Sequence, residues 1–299
     1  MAIGVHDAAA VRTARLRTRA KRMAQVMIHT ATVWFAALLI LPWLDRPRRE
    51  AAVTRWARHT LRIFNVRVAV RGSPAPFAAP VILVANHISW LDIYVMNALC
   101  VSRFVAKSEV ASAPVFGTIA RQLGSIFIRR GSLRDAHRVK GEAAAALRGG
   151  DVVGLFREGT TSDGTRLQFF YPALFQAAIE AGATTQPIAI RYRQDDGRPN
   201  TAPAYTEHIS LMQSIRAVLR EPVLRAEIIF CEPLPAHLTR RELADRARRS
   251  IAEALDVRVL PPRPRHMPGA WRPAKADAAL QSRFPRNREG RALSGPTRE

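Results

Sequence analysis

A histidine and a carboxylate set close together at the end of an apolar stretch are the first residues of this chain that can do chemistry. The segment reads Val84-Ala85-Asn86-His87-Ile88-Ser89-Trp90-Leu91-Asp92. An imidazole there can take a proton from a hydroxyl, and a nearby carboxylate can fix its tautomer and stabilise the imidazolium. A spacing of five does not put two side chains on one helical face. The pair works as acid-base machinery if His87 sits in the turn before a helix and Asp92 looks back at it. The same spacing also fits a purely structural pair.

Three further segments carry polar groups at the ends of apolar runs. Gly124-Ser125-Ile126-Phe127-Ile128-Arg129-Arg130-Gly131 ends in two guanidinium groups, which can hold a phosphate or simply be solvated. Gly154-Leu155-Phe156-Arg157-Glu158-Gly159-Thr160-Thr161-Ser162-Asp163-Gly164 ends in a turn whose amides and hydroxyls can surround a ligand. Glu158 there can bind ligand hydroxyls or cap the turn. Gln186-Pro187-Ile188-Ala189-Ile190 reads as an apolar strand begun by proline, and a plain core strand is its simplest account.

The elements that must position these residues alternate along the chain. Short β-branched runs predict strands at 66–70, 81–85, 103–106, 125–128, 152–156, 187–192 and 227–231. Helical patterns fall at 114–123, 133–147, 172–181 and 239–255, the last opening on Thr239 with Glu242 three residues on, a capping-box pattern. This alternation predicts an α/β domain over 66–260, with reactive groups at strand ends leading into helices.

The N-terminal part has a different texture. Residues 1–22 are basic, and an apolar run extends from 23 to 44 with Trp34 and Trp43 in it. That run is long enough to span a bilayer, although Pro42, Gln25, His29 and Thr30 weaken it. Basic residues flank it on both sides, which favours a helix that dips into the membrane and returns over one that crosses. A buried core helix is the alternative. Residues 55–64 read as a short amphipathic helix with Arg55, Arg58 and Arg62 placed for lipid headgroups. Residues 23–65 are thus expected to anchor the chain, and the Pro- and Arg-rich stretch 261–299 to form a disordered basic tail.

Composition narrows the function classes. Lys plus Arg number 46 against 24 acidic residues, a net charge of +22 that invites anionic partners. A nucleic-acid-binding protein would interleave its cations with exposed aromatics or carry a recognition motif, and neither is found. The two cysteines, Cys100 and Cys231, exclude a disulfide framework and a Cys-rich zinc site, and are expected as buried free thiols.

Taken together, in this order and at these separations, the four chemical segments resemble the glycerolipid acyltransferase family, which includes the 1-acylglycerol-3-phosphate acyltransferases. That family carries Asn-His-x4-Asp, then Gly-x-x-Phe-Ile-x-Arg, then Phe-Pro-Glu-Gly-Thr, then a Pro-containing strand. Asn86, His87 and Asp92 match the first block, and Gly124 through Arg130 the second. Phe156, Glu158, Gly159 and Thr160 match the third, and Pro187 the fourth. The likeness extends over roughly residues 25–255 and includes Lys107 between the first two blocks.

The resemblance implies a mixed central sheet flanked by helices, preceded by a membrane-anchoring helical segment. It implies His87 as general base and Asp92 as its orienting partner, with no metal, cofactor or covalent intermediate. Asn86, Lys107, Arg130 and the loop Glu158-Gly159-Thr160-Thr161 would bind the acceptor. The implied reaction moves an acyl group from acyl-CoA or acyl carrier protein to the hydroxyl of 1-acylglycerol-3-phosphate, giving phosphatidic acid, at the cytoplasmic face of a bacterial inner membrane. Three positions depart from the phosphate-acceptor pattern: Thr161 stands where Arg is common, Tyr171 where Lys is common, and Arg157 where Pro is usual. The Glu-Gly-Thr-Thr-Ser-Asp-Gly form resembles bacterial members that acylate lyso-ornithine lipid, the alternative acceptor. A non-catalytic basic protein bound to membrane or nucleic acid is the alternative of another class.

Overall fold

A computed structural model describes residues 3–75, 80–129, 132–156, 164, 166–167, 170, 172–206 and 209–259, with side chains from Leu16 onward, Leu133 apart. Helix α1 (Ile3–Leu39) takes in both the basic flank and most of the apolar run. A 3-10 turn at Leu41–Trp43 then breaks the run at Pro42. No helix among the described residues is long and apolar enough to cross a membrane. The apolar side chains of this region are divided between two directions. Val33, Ala37 and Leu41 are buried and Met23 and Val26 pack against the core, while Met27, Ile28, Phe35, Leu39 and Trp43 face outward.

The helix expected at 55–64 is the second half of a longer one, α2 (Arg46–Ile63). Asp45 starts it by accepting the Arg48 N–H at 3.0 Å, with a proline in the first turn where its missing N–H costs nothing. Its apolar members Ala57 and Leu61, with Phe64 beyond its end, are buried in the protein core, so that side faces the sheet and not a lipid surface. Arg55, Arg58 and Arg62 remain outward, and Arg58 Nε donates to the Ala98 carbonyl at 3.1 Å.

After α2 the chain alternates. In order come β1 (Val66–Arg71), β2 (Val81–Ala85), α3 (Leu91–Asn97), β3 (Arg103–Lys107), α4 (Ser108–Ala111) and α5 (Pro114–Gln122). They are followed by β4 (Ile126–Ile128), α6 (Leu133–Arg148), β5 (Val153–Phe156), β6 (Arg166–Leu167) and α7 (Phe175–Glu180). The last are β7 (Thr184–Arg193), α8 (Leu211–Arg220), β8 (Leu224–Phe230), α9 (Arg240–Leu255) and β9 (Arg258–Val259). Seven strands form one sheet in the order β1-β8-β7-β2-β5-β3-β4, and β6 pairs with β9. Only β7 and β8 are antiparallel neighbours in the large sheet, so it is mixed.

Alternation along each strand sends side chains to two cores. Leu83, Ala85, Ile188 and Ile190 face the layer of α2, α3 and α8. Ile82, Val84, Leu155 and Ala189 face α6, α7 and α9. Thr239 and Glu242 start α9 with the expected reciprocal cap. The strand expected to begin at Pro187 begins three residues earlier, with the proline inside it. Pro187 accepts the Cys231 N–H at 3.0 Å but has no N–H to return. Gln186 Nε2 supplies that bond, donating to the Cys231 carbonyl at 2.6 Å, which is why a proline is tolerated in a central strand.

The consequence for function lies in strand direction. β7, β2, β5, β3 and β4 run parallel, so their C-terminal ends share one edge of the sheet. His87, Phe156, Lys107 and Arg129 all fall at or just past those ends.

Candidate active site

The site begins where β2 gives way to a turn. Asn86 makes with its side chain the two bonds that a further strand residue would make with its backbone. Its Nδ2 donates to the Ile190 carbonyl at 2.9 Å, and its Oδ1 accepts the Ile190 N–H at 2.8 Å. Asn86 is 1% exposed. Expected among the acceptor-binding residues, it is turned inward, splicing β2 to β7 while the main chain leaves the sheet.

The main chain then folds back on Asp92. The Asp92 N–H donates to the Ser89 carbonyl at 3.1 Å, and Ser89 Oγ accepts the Leu91 N–H at 3.2 Å, which starts α3. The Asp92 side chain is fully buried. Its Oδ2 accepts from the Ile88 amide at 2.8 Å, the Ser89 amide at 2.9 Å and His87 Nδ1 at 2.8 Å. Its Oδ1 accepts the Tyr192 hydroxyl at 2.6 Å. Four donors thus meet one carboxylate, as a buried charge requires. The acid-base geometry that the spacing allows is the one found, with histidine in the turn and carboxylate looking back from the first turn of the helix.

A carboxylate opposite Nδ1 keeps the proton on that nitrogen and gives Nε2 the role of acceptor. The imidazole side chain is 21% exposed. One face of its ring stacks on Phe156 at a centroid distance of 4.1 Å and an interplanar angle of 16°. Phe156 stacks in turn on Phe104 at 5.4 Å and 4°. Gly154 makes room for this column, because a Cβ there would lie 2.6 Å from the Phe104 ring. The Tyr192 hydroxyl is pushed well above its ordinary pKa, first by burial and then by the Asp92 charge and hydrogen bond, so it stays a donor.

Of the expected cations, Lys107 ends β3 half-buried beside Ile128 of β4. Arg129 is held by Asp135 through Nε to Oδ2 at 3.0 Å and Nη2 to Oδ1 at 3.2 Å, and its own N–H donates to Oδ2 at 3.0 Å. Those bonds hold the Asp135 carboxyl down at about 2, so Arg129 serves a turn more than a ligand. Arg130, Glu158, Gly159, Thr160 and Thr161 lie outside the described residues, as do Arg157, Tyr171 and the tail 261–299. Phe156, the last described residue before Arg157, touches the imidazole.

Tyr192, Phe156 and Phe104 as neighbours of the dyad are what sequence reasoning missed. Alternation in Ile188-Ala189-Ile190-Arg191-Tyr192 puts Tyr192 on the Ile190 face, but nothing local links it to a carboxylate 100 residues away. The cysteines are half-buried, not fully, and burial pushes both thiols up to about 11. Among the described residues no three His, Cys, Asp or Glu side chains gather as metal ligands.

Comparison with known proteins gives the family. Residues 67–191 match the family model described as Acyltransferase. The lyso-ornithine lipid O-acyltransferase of Pseudomonas aeruginosa is 36% identical over 226 residues, which cover 74% of this chain and 85% of that protein. The chain belongs to the acyltransferase family. As an O-acyltransferase it also resembles the 1-acyl-sn-glycerol-3-phosphate acyltransferase of Neisseria meningitidis, 39% identical over 160 residues, 53% of this chain and 62% of that one. The fold is shared with the crystal structure of the 1-acyl-sn-glycerophosphate acyltransferase PlsC from Thermotoga maritima. The TM-score there is 0.56 at 19% identity, covering 81% of this chain and 97% of the other.

Proposed function

We propose that this enzyme carries an acyl group from a thioester donor, acyl-CoA or acyl carrier protein, to the free hydroxyl of a lysolipid, with His87 as the general base. The observation that carries the reading is the contact of His87 Nδ1 with a buried, four-fold hydrogen-bonded Asp92 at the shared edge of the parallel strands. Nε2 takes the hydroxyl proton as the oxygen attacks the thioester carbonyl carbon. The carbon–sulfur bond breaks, and the imidazolium returns the proton to the departing thiolate. The products are an ester and a free thiol. Asp92 stabilises the imidazolium in between, and the Phe156 ring holds the imidazole plane.

Lyso-ornithine lipid is the acceptor we favour. The Pseudomonas aeruginosa enzyme named for it aligns over 85% of its length, against 62% for the Neisseria meningitidis enzyme. Thr161 and Tyr171 stand where phosphate-acceptor members commonly carry cations. 1-Acylglycerol-3-phosphate is the second reading, favoured by the 39% identity to the Neisseria meningitidis enzyme. Labelled acyl thioester offered with each lysolipid separates the two. His87→Ala should lower turnover by about 10²–10⁴-fold on the true acceptor. Wild-type turnover in that variant would remove the base.

The outward face of α1 and of the turn after it gives the enzyme its access to lipid. Met27, Ile28, Phe35, Leu39 and Trp43 are exposed, beside the exposed cations Arg17 and Lys21. An apolar stripe with flanking cations lies in a bilayer interface without crossing it. Leu39→Ser with Trp43→Ser should weaken binding to anionic vesicles. Undiminished binding would place the contact elsewhere.

A further inference from the structure

We infer that Tyr192 is a positioning residue for acyl transfer, holding Asp92 in the one orientation from which it fixes His87. The inference deepens the reading of His87 as general base and rests on it. A carboxylate turns about its Cβ–Cγ bond in a broad torsional well, so burial alone does not set its plane. Oδ2 of Asp92 is already occupied by His87 and the amides of Ile88 and Ser89. Those bonds hold one oxygen, and Oδ1 accepts the Tyr192 hydroxyl at 2.6 Å, the anchor at the other end of the carboxylate against rotation.

The chain gives that hydroxyl few alternatives. Tyr192 is 4% exposed and sits two residues after Ile190, whose backbone is clamped in both directions by Asn86. Its backbone carbonyl accepts the Asn200 N–H at 3.0 Å, and its strand partner is Ala226. The phenol therefore leaves a strand fixed on either side and reaches the carboxylate across the end of β2. It stands just past the span 67–191 that matches the family model. Removing the hydroxyl leaves a fully buried carboxylate oxygen without this donor, and the plane that aligns Oδ2 with Nδ1 is then held from one oxygen only.

Tyr192→Phe in the full-length enzyme tests this, because it deletes one oxygen and keeps the ring. The expected result is a fall of about tenfold in kcat per folded molecule, with KM for both substrates within about twofold. A second readout is the His87 Nδ1 proton resonance, recorded below the melting transition, which should move in the variant. Unchanged kcat, a loss confined to KM, or an unmoved resonance would overturn the assignment. His87→Ala in the same assay keeps the two ideas apart. If that variant turns over normally, the general base falls. If it is inactive while Tyr192→Phe is fully active, only the positioning role falls.

Discussion

Two nearly buried carboxylates in this sheet are satisfied by opposite means. Asp92 at the end of β2 is met by two amides, a phenol and an imidazole. Glu227 in the middle of β8 is met by three arginines. Arg71 of β1 and Arg191 of β7 approach it at 2.5 Å, and Arg193 of β7 at 3.4 Å. The Glu227 charge is compensated by fixed cations, and its bonds tie the edge strand β1 to the centre of the sheet. Asp92 is stabilised without a fixed cation, which leaves its charge available to a proton on His87, as the proposed mechanism requires. A guanidinium on Asp92 would compete with the imidazolium and weaken the base. Charge compensation suits Glu227 to a structural role, and its avoidance suits Asp92 to the role proposed for it.

The largest effect that can break this contrast is on turnover. Asp92→Asn should cost on the order of 10²–10⁴ in kcat, because the amide neither fixes the tautomer nor stabilises the imidazolium. Glu227→Gln should leave kcat within about twofold. A comparable kcat loss from both variants would mean that the two carboxylates are not different in kind.

The aromatic column sharpens the Asp92 side. Gly154→Ala puts a Cβ 2.6 Å from the Phe104 ring, with Phe156 and His87 stacked beyond it. Overpacking of this kind costs about 1–3 kcal/mol. Displacement of the imidazole should also lower kcat by roughly tenfold. A variant that melts earlier but turns over normally would show that stacking does not position the base.

How much of this was legible beforehand follows from where the bonds run. The dyad was readable because both partners sit within one strand, turn and helix, five residues apart. The seven strands were readable because their apolar runs are short and bounded. The inward bonds of Asn86 are not legible, since its partner Ile190 lies 104 residues on and a motif does not reveal which way an amide points. Glu227 and Tyr192 were silent for the same reason, their partners being set by strand order. The helix α8 was overlooked although Ser210 and Gln213 form a capping box there, a local signal available in the sequence. The extent of α2 was missed because Arg46 and Arg48 read as membrane flank, whereas Asp45 makes them a first turn.

On the Glu227 side the effect is in stability. Breaking a buried ion pair costs about 3–5 kcal/mol, but Arg71 is two-thirds exposed and the cluster is partly solvated. Glu227→Gln should therefore destabilise by about 2 kcal/mol, roughly 4–8 °C in Tm. An unchanged melt would mean that the three arginines are solvated well enough to do without the charge.

The smallest effect is its pH dependence. The Arg191 hydrogen bond, outweighing burial and helped by the charges of Arg191, Arg71 and Arg193, holds the Glu227 carboxyl below its ordinary value of 4.5. A carboxyl lowered on folding contributes stability that is complete above its unfolded pKa and lost as pH falls through the folded one. Wild-type Tm should thus fall as pH drops below about 4.5, and Glu227→Gln should make that fall shallower. Asp135, held at about 2 by Arg129, gives a second and lower window, between its ordinary 3.8 and about 2. Asp135→Asn should flatten only that lower part, and salt should weaken it, because the Arg129 side chain is 69% exposed. If Asp135→Asn instead flattened the upper window, the acid sensitivity assigned to Glu227 would belong to the Arg129 turn.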